Sequence, residues 1–200
     1  MSVLESLCQN LRQAGVDASV DTEKRSLISQ LVPFGAKSLG KITLNGRQID
    51  EIQLFGHFEA KDRNRFGGGG ADLEAVDVDY ILHGDIKGKK KLLQAELKVK
   101  RTGLVHRKVV EMHWEGNALA DRLNNDSMVT DLLWQSLGQL SARDIEVKLD
   151  EDAGAAIIHV LDDRQVLAQK LPPFQMCEKI AEHIYNLIGI AKTVQPLSPQ

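Results

Sequence analysis

Aromatic residues, cysteines and long apolar runs are all scarce in this chain of 200 residues. Phe, Trp and Tyr make up 4% of it, so a folded core must consist mainly of Leu, Ile, Val and Ala. No apolar run approaches the roughly 20 residues of a membrane-spanning helix, which predicts no transmembrane segment. The first residues also lack the basic start and apolar centre of a secretory signal. These absences predict a soluble, cytoplasmic protein.

The two cysteines, Cys8 and Cys177, lie near opposite ends of the sequence. Both fall in segments with helical apolar spacing, which is typical of buried, unreactive thiols. The sequence does not decide whether they form a disulfide, although an intracellular protein does not need one. No CxxC, HxH or HExxH motif and no tight set of His and Asp is present. The sequence therefore predicts neither a metal site nor a cofactor.

Positive charge is concentrated in residues 87–108, although the whole chain has a net charge of −3. This basic stretch holds nine Lys and Arg and one acid, Glu96, which gives a local balance of +8. Over residues 115–163 the balance reverses to −8. A charge run usually lies on a solvated surface, but this separation of charge is also typical of binding surfaces.

Three interpretations of the basic stretch remain open. It is a solvated sheet face whose lysines protect strand edges, or it docks on the acidic segment of the same chain or of another subunit. The third interpretation is binding of an external anion, such as nucleic acid or anionic lipid. No aromatic residues are interleaved, so base stacking is not indicated. The candidate anion-binding residues are Lys89, Lys90, Lys91, Lys98, Lys100, Arg101, Arg107 and Lys108.

Local patterns in the first half of the chain predict two helices followed by strands. Apolar residues at helical spacing predict a helix over residues 3–14 and a second from an Asp21 N-cap to about Val32. The apolar period then changes to two, and Asn45-Gly46 predicts a hairpin. Three strands joined by short turns over about 76–115 predict an antiparallel meander.

A run of four glycines at residues 67–70 separates the hairpin from this meander. We interpret it as a flexible connection. Phosphate binding is the minor alternative, because no Lys-Ser/Thr follows the glycines and the next element is predicted as a strand.

The second half of the chain predicts helices on either side of three short strands. Leu119 and Leu123 mark a first helical segment, and Asp126 is the predicted N-cap of a second one that ends near Gly138. A final amphipathic helix begins near Pro173. The predicted strands span residues 145–149, 155–160 and 165–170.

Short turns link most of the strands, so the sequence predicts an α+β fold with antiparallel sheets. N-terminal, central and C-terminal amphipathic helices pack against these sheets, and both Trp114 and Trp134 are expected in the core. The predicted regions are 1–115, with the N-terminal helices and the meander, and 116–192, with a helix, three strands and a helix. Whether they share one core stays open, and 193–200 is predicted to be a frayed tail.

Acids and histidines provide weak candidates for chemistry. His113 shares a strand face with Glu111, and Asp77 shares one with Asp79. We interpret both aspartates as charged residues on the solvated side of a strand. Acid–base catalysis also needs a pocket and a second group, and no GxSxG motif is present.

We therefore predict a non-enzymatic binding or interaction module whose partner is a protein or a second copy of this chain. Catalytic motifs are lacking, and charge is strongly separated. One alternative is binding of a polyanion, nucleic acid or an anionic membrane surface, through residues 87–108. Another is an enzyme whose residues converge only in the folded chain, in a deep pocket around His113 or around Asp77 and Asp79.

Overall fold

The computed structural model describes residues 2–21, 36–60, 71–102, 108–137, 145–162, 174–190 and 192. The helices in these ranges are α1 (Val3–Gln13), α2 (Lys90–Leu93), α3 (Ala118–Asn125), α4 (Ser127–Leu137) and α5 (Phe174–Ile188). The strands are β1 (Asp17–Asp21), β2 (Lys37–Asn45), β3 (Glu51–Ala60), β4 (Ala71–His83), β5 (Ala95–Thr102), β6 (Lys108–Gly116), β7 (Ile145–Asp150) and β8 (Ala155–Asp162).

The eight strands form one sheet in the order β1-β2-β3-β4-β8-β7-β5-β6. Every neighbouring pair is antiparallel. The predicted α+β class with an antiparallel sheet is therefore confirmed. Strands from both predicted regions, 1–115 and 116–192, lie in this sheet.

The strand order differs from the predicted meander, because β4 and β5 are not neighbours. β8 lies beside β4, and β7 lies beside β5. The physical reason is helix α2, which forms where the sequence predicted the start of a strand and buries Leu93 completely. This helix carries the chain away from β4, and the β7–β8 hairpin occupies the space between.

The hairpin predicted at Asn45-Gly46 exists as the antiparallel pair β2–β3. Gly46 has a φ of 64°, which glycine adopts without strain. The connection is longer than a two-residue turn and spans residues 46–50. The longer connection carries side chains into the interior, because Ile49 is completely buried and Arg47 is 5% exposed.

All five helices place apolar side chains in one core on one side of the sheet. Alternate residues of each strand face this core, and on β4 these are Val76, Val78, Tyr80 and Leu82. The remaining residues face the other way. We call that side the open face; on the three central strands it carries Gln53, Phe55, Asp77, Asp79, Ile81, Ile157 and His159.

Several sequence predictions have a clear outcome in these elements. Helices α1, α3, α4 and α5 lie where the sequence predicted helices, and Cys8 and Cys177 are buried free thiols. Trp114 is buried as expected, but Trp134 is 44% exposed, which contradicts the prediction. It follows the buried Leu133, and successive residues of a helix point about 100° apart.

Other predictions concern residues without a described structure. Asp21 ends β1, and the rest of the helix predicted to reach Val32 lies outside the described residues. So do the glycine run, Gly138, the strand at 165–170, Pro173 and the tail 193–200. None of the helices in the described ranges combines the length and the apolar character that crossing a membrane requires.

The edge strand β6 is partly covered by a side chain of α3. Asn124 Oδ1 accepts a hydrogen bond from Trp114 N at 2.8 Å, and Asn124 Nδ2 donates one to Trp114 O at 2.9 Å. The amide thus makes the two hydrogen bonds that a neighbouring strand would make. Edge strands are commonly protected by such cover.

A buried ion pair joins the β2–β3 connection to α5. Arg47 Nη2 lies 2.5 Å from Glu178 Oε2, and Ile49 N donates to Glu178 Oε1 at 3.3 Å. Burial raises the pKa of Glu178, and the attraction of Arg47 only partly opposes this effect. A buried pair of this kind fixes the position of the connection, while the cost of desolvating both charges offsets much of their attraction.

This balance gives a prediction for two variants of the pair. Glu178→Leu removes the carboxylate that neutralises the buried Arg47 charge, and we expect it to lower the free energy of unfolding by about 3–5 kcal/mol. Arg47→Met/Glu178→Leu removes both charges but still leaves Ile49 N without its acceptor, so we expect it to lose only about 1–3 kcal/mol. Urea unfolding of the three proteins measures this difference. Equal losses in the single and double variants would contradict it.

Candidate functional site

The structure divides the predicted anion-binding residues between the two sides of the sheet. Lys89, Lys90 and Lys91 belong to the turn before α2 and to α2 itself, which packs on the helix side. Lys98 and Lys100 lie on the open face of β5. The stretch that is continuous in sequence is therefore not one surface in the fold.

Of the other three predicted residues, the structure describes Arg101 and the backbone of Lys108. Arg101 is exposed at a register shift in β5, where the chain leaves its regular pairing with β6. Lys108 begins β6. Arg107 lies outside the described residues.

On the open face, both lysines of β5 lie beside acids. Lys98 Nζ contacts the carboxylate of Glu96, and Lys100 Nζ lies 3.4 Å from Glu111 Oε2. His113 and Glu111, which the sequence suggested as a group, have different partners. Glu111 contacts Lys100, and His113 Nε2 lies 3.1 Å from Glu115 Oε1. Exposed pairs of this kind contribute at most about 1 kcal/mol each.

Three glutamates lie side by side across neighbouring strands. Glu146 of β7 is opposite Glu96 of β5, which is opposite Glu115 of β6. We call these residues the glutamate row. Like charges directly opposite each other repel, and each glutamate has a base two residues away on its own strand. The pairs are Glu96–Lys98, Glu115–His113 and Glu146–Lys148.

Strand direction places two of these bases on the same side of the glutamate row. Lys98 and His113 are opposite each other in the β5–β6 register, and we call them the base row. β7 is antiparallel to β5, so Lys148 lies on the other side. The base row and the glutamate row are 35–58% exposed at their side chains. Together they form the exposed half of the open face, where acids and bases alternate.

Asp77 and Asp79 are not on a solvated surface, so the prediction for these residues is wrong. Each is 2% exposed. Asp77 Oδ2 lies 2.7 Å from His57 Nε2, and Asp79 Oδ1 lies 2.6 Å from His159 Nδ1. Burying a carboxylate is costly unless it is hydrogen-bonded, and the strands on both sides of β4 supply the partners. The histidines are 20 and 80 residues away in sequence, so no local pattern reveals them.

Gln53 extends this buried polar group on β3. It is 1% exposed, and its Nε2 has no hydrogen-bond acceptor in the part of the chain that the structure describes. Strand register places Lys41, Gln53, Asp79 and His159 in one line across β2, β3, β4 and β8. The described side chains do not bring three His, Cys, Asp or Glu together as a metal ion would require.

Glu51, at the start of β3, lies between two basic side chains. His83 Nε2 is 3.9 Å and Lys41 Nζ is 3.2 Å from Glu51 Oε1. Interaction with His83 and then with Lys41 lowers the pKa of Glu51 to about 2, against the opposing effect of burial. The same contact with Glu51 raises the pKa of His83.

A polar cleft of about 570 Å³ lies between α3, the start of α4 and α5. Asp121 and Arg122 line it from α3, and His183 and Asn186 line it from α5. Neither Asp121 nor Arg122 has an ion-pair partner among the residues with described positions. Sequence reasoning identified Asp126 at this site only as an N-cap and did not identify the other residues.

Asp126 connects the helices that form the cleft. Its Oδ1 accepts hydrogen bonds from Met128 N at 2.8 Å and Val129 N at 3.3 Å, which confirms the predicted N-cap of α4. Its Oδ2 lies 2.7 Å from His183 Nε2 of α5. Burial opposes ionisation, but the hydrogen bonds from His183, Val129 and Met128 together lower the pKa of Asp126. Asp126 therefore links the start of α4 to α5 beside the cleft.

Comparison of the chain with protein-family models, with curated proteins and with solved structures gives no match.

The pKa of Glu51 gives a prediction of acid stability. Because folding lowers this pKa from 4.5 to about 2, ionised Glu51 stabilises the fold above pH 4.5, and this stabilisation is lost as the pH falls towards 2. We expect Glu51→Gln to lose stability less steeply than wild type in that range. Urea unfolding from pH 2 to pH 7 measures the slope, with Glu115→Gln as a control in the same sheet. Identical slopes in wild type and Glu51→Gln would contradict the assignment.

Proposed function

We propose that this protein is a non-enzymatic binding module that associates with a second copy of itself through the exposed half of the open face. One observation supports this function: the glutamate row lies directly beside the base row. A surface with adjacent acidic and basic rows is complementary to itself after a two-fold rotation.

The rotation axis runs parallel to the two rows and midway between them. Rotation about this axis places each strand over the same strand of the other copy. It also places the glutamate row of each copy over the base row of the other. Glu96 then lies over Lys98 of the partner subunit, and Glu115 lies over His113 of the partner subunit. Each contact occurs twice, and such a two-fold interface closes at two copies.

The expected association is weak and sensitive to salt. Exposed ion pairs contribute about 0.2–1 kcal/mol each, and salt at about 0.1 M screens charges over about 10 Å. The pairs within one chain, such as Glu96–Lys98, hold the side chains in place before the copies meet. The same balance of charge makes this half of the face a poor surface for a polyanion.

Charge reversal at β5 tests the proposed contact. We expect the native mass of wild type to exceed 22.2 kDa at low salt and to return to it at high salt. Lys98→Glu and Glu96→Lys each place like charges in contact and should leave a monomer at low salt. Glu96→Lys/Lys98→Glu restores complementarity within and between chains, so its dimer should return.

Sedimentation equilibrium measures these masses, and circular dichroism checks that every variant is folded. A wild-type monomer at all salt concentrations would exclude self-association. A dimer that persists in both single variants would show that the copies meet through another surface.

Polyanion binding is the second candidate function, and the lysines of α2 support it. Lys90 and Lys91 are exposed, and with Lys89 they have no acidic partner among the described side chains. They differ in this respect from Lys98 and Lys100, which lie beside glutamates. Three unneutralised lysines over one helical turn attract phosphate or sulfate groups.

Heparin retention separates these two groups of lysines. We expect wild type to bind heparin at low salt and to elute as salt increases, because each lysine releases counterions from the polyanion. Lys89→Glu/Lys90→Glu/Lys91→Glu should not be retained. Lys100→Glu, a control for added negative charge outside the base row, should elute only slightly earlier. No retention of wild type, or equal loss in both variants, would contradict a role for α2.

A further inference from the structure

Two helices present polar side chains to each other across the 570 Å³ cleft. On α3, Asp121, Arg122 and Asn125 are spaced at three and four residues, so they share one face of the helix. On α5, His183 and Asn186 are three residues apart and share a face in the same way. The apolar faces of α3 and α5 meet in the core, through residues such as Leu123 and Ile184. The cleft is therefore built on packed elements.

The hydrogen bond between His183 and Asp126 holds this cleft in one shape. Asp126 is tied to the start of α4 by Met128 N and Val129 N and to α5 by His183 Nε2. The His183 and Asp126 side chains line the cleft and are 19% and 22% exposed. A site whose walls are held before binding loses less entropy when a ligand binds.

Charges of both signs line this cleft without partners in the described structure. The carboxylate of Asp121 and the guanidinium of Arg122 form no ion pair there, whereas Asp126 and His183 are occupied with each other. Asn186 adds a carboxamide, which both donates and accepts hydrogen bonds, and Asn125 adds its amide oxygen, since its Nδ2 already donates to Asp121 O at 2.7 Å. The lining therefore offers one carboxylate, one guanidinium and neutral amide groups that can hydrogen-bond a ligand of either charge.

We propose that the cleft binds a zwitterionic amino acid. Arg122 holds the carboxylate of the ligand, since a guanidinium pairs with a carboxylate through two parallel hydrogen bonds. Asp121 holds the ammonium group, and Asn125 and Asn186 bind the remaining hydrogen-bonding groups. The cleft of 570 Å³ is open to solvent, so it contacts the two backbone charges of the amino acid and leaves the ligand's side chain exposed. The cleft is separate from the open face, so this site is independent of self-association.

Three probes that differ in one charge test this assignment. L-alanine carries both charges, N-acetyl-L-alanine carries only the carboxylate, and L-alaninamide carries only the ammonium group. Two-dimensional amide NMR follows their titration into the full chain. We expect L-alanine to shift the amide signals of α3 and α5 saturably and the other two probes to bind several-fold more weakly.

Two variants assign the charges, and a third serves as the control. Arg122→Gln should remove the remaining binding of N-acetyl-L-alanine and leave that of L-alaninamide. Asp121→Asn should have the opposite effect, and Asp131→Asn, on the exposed side of α4, should change neither. All three positions are exposed, so the variants should fold.

Absence of saturable shifts in the cleft with L-alanine would overturn the proposal. Equal binding of the three probes would also overturn it, because recognition would then not depend on the two charges. A loss of both single-charge probes in one variant would show that the residues do not act separately as proposed.

Discussion

The fold depends on β4, a strand whose two faces are both buried. On the helix side it contributes Val78 and Tyr80, and on the open face it contributes Asp77 and Asp79. Apolar residues need only to be covered, but buried carboxylates need hydrogen-bond donors in specific places. The donors come from His57 of β3 and from His159 of β8.

This requirement also fixes the register of the central strands. Moving β4 by one residue would turn both aspartates into the apolar core and turn the core residues out of it. The contact of Asp79 with His159 also requires β8 to lie next to β4. One polar pair therefore specifies both the neighbour of the strand and its alignment.

Elements with a strong local signal could be predicted from the sequence. Apolar residues spaced at three and four predicted α1 and α5, and the polar residue Asp126 predicted the start of α4. Strand order could not be predicted in this way, because it depends on contacts between distant segments. A short helix such as α2 also gives little signal, since its four residues hold only one buried side chain.

The candidate sites were largely invisible in the sequence for the same reason. A line of nine basic residues suggested one positive surface. Folding placed α2 on one side of the sheet and Lys98 on the other, and it brought Glu146 of the acidic segment beside β5. Basic and acidic residues that are separated along the sequence therefore lie next to each other on the open face. The cleft combines residues from α3 and α5 that lie about sixty positions apart.

The amide of Asn124 has a consequence for how the molecule can assemble. It occupies the backbone groups of Trp114, so one position of the outer strand β6 cannot pair with a further strand. A sheet with an open outer strand can add further chains without limit, which is the route to fibres. In β6 the backbone of Trp114 is already bonded, so addition of another strand at that point would require Asn124 to be displaced first.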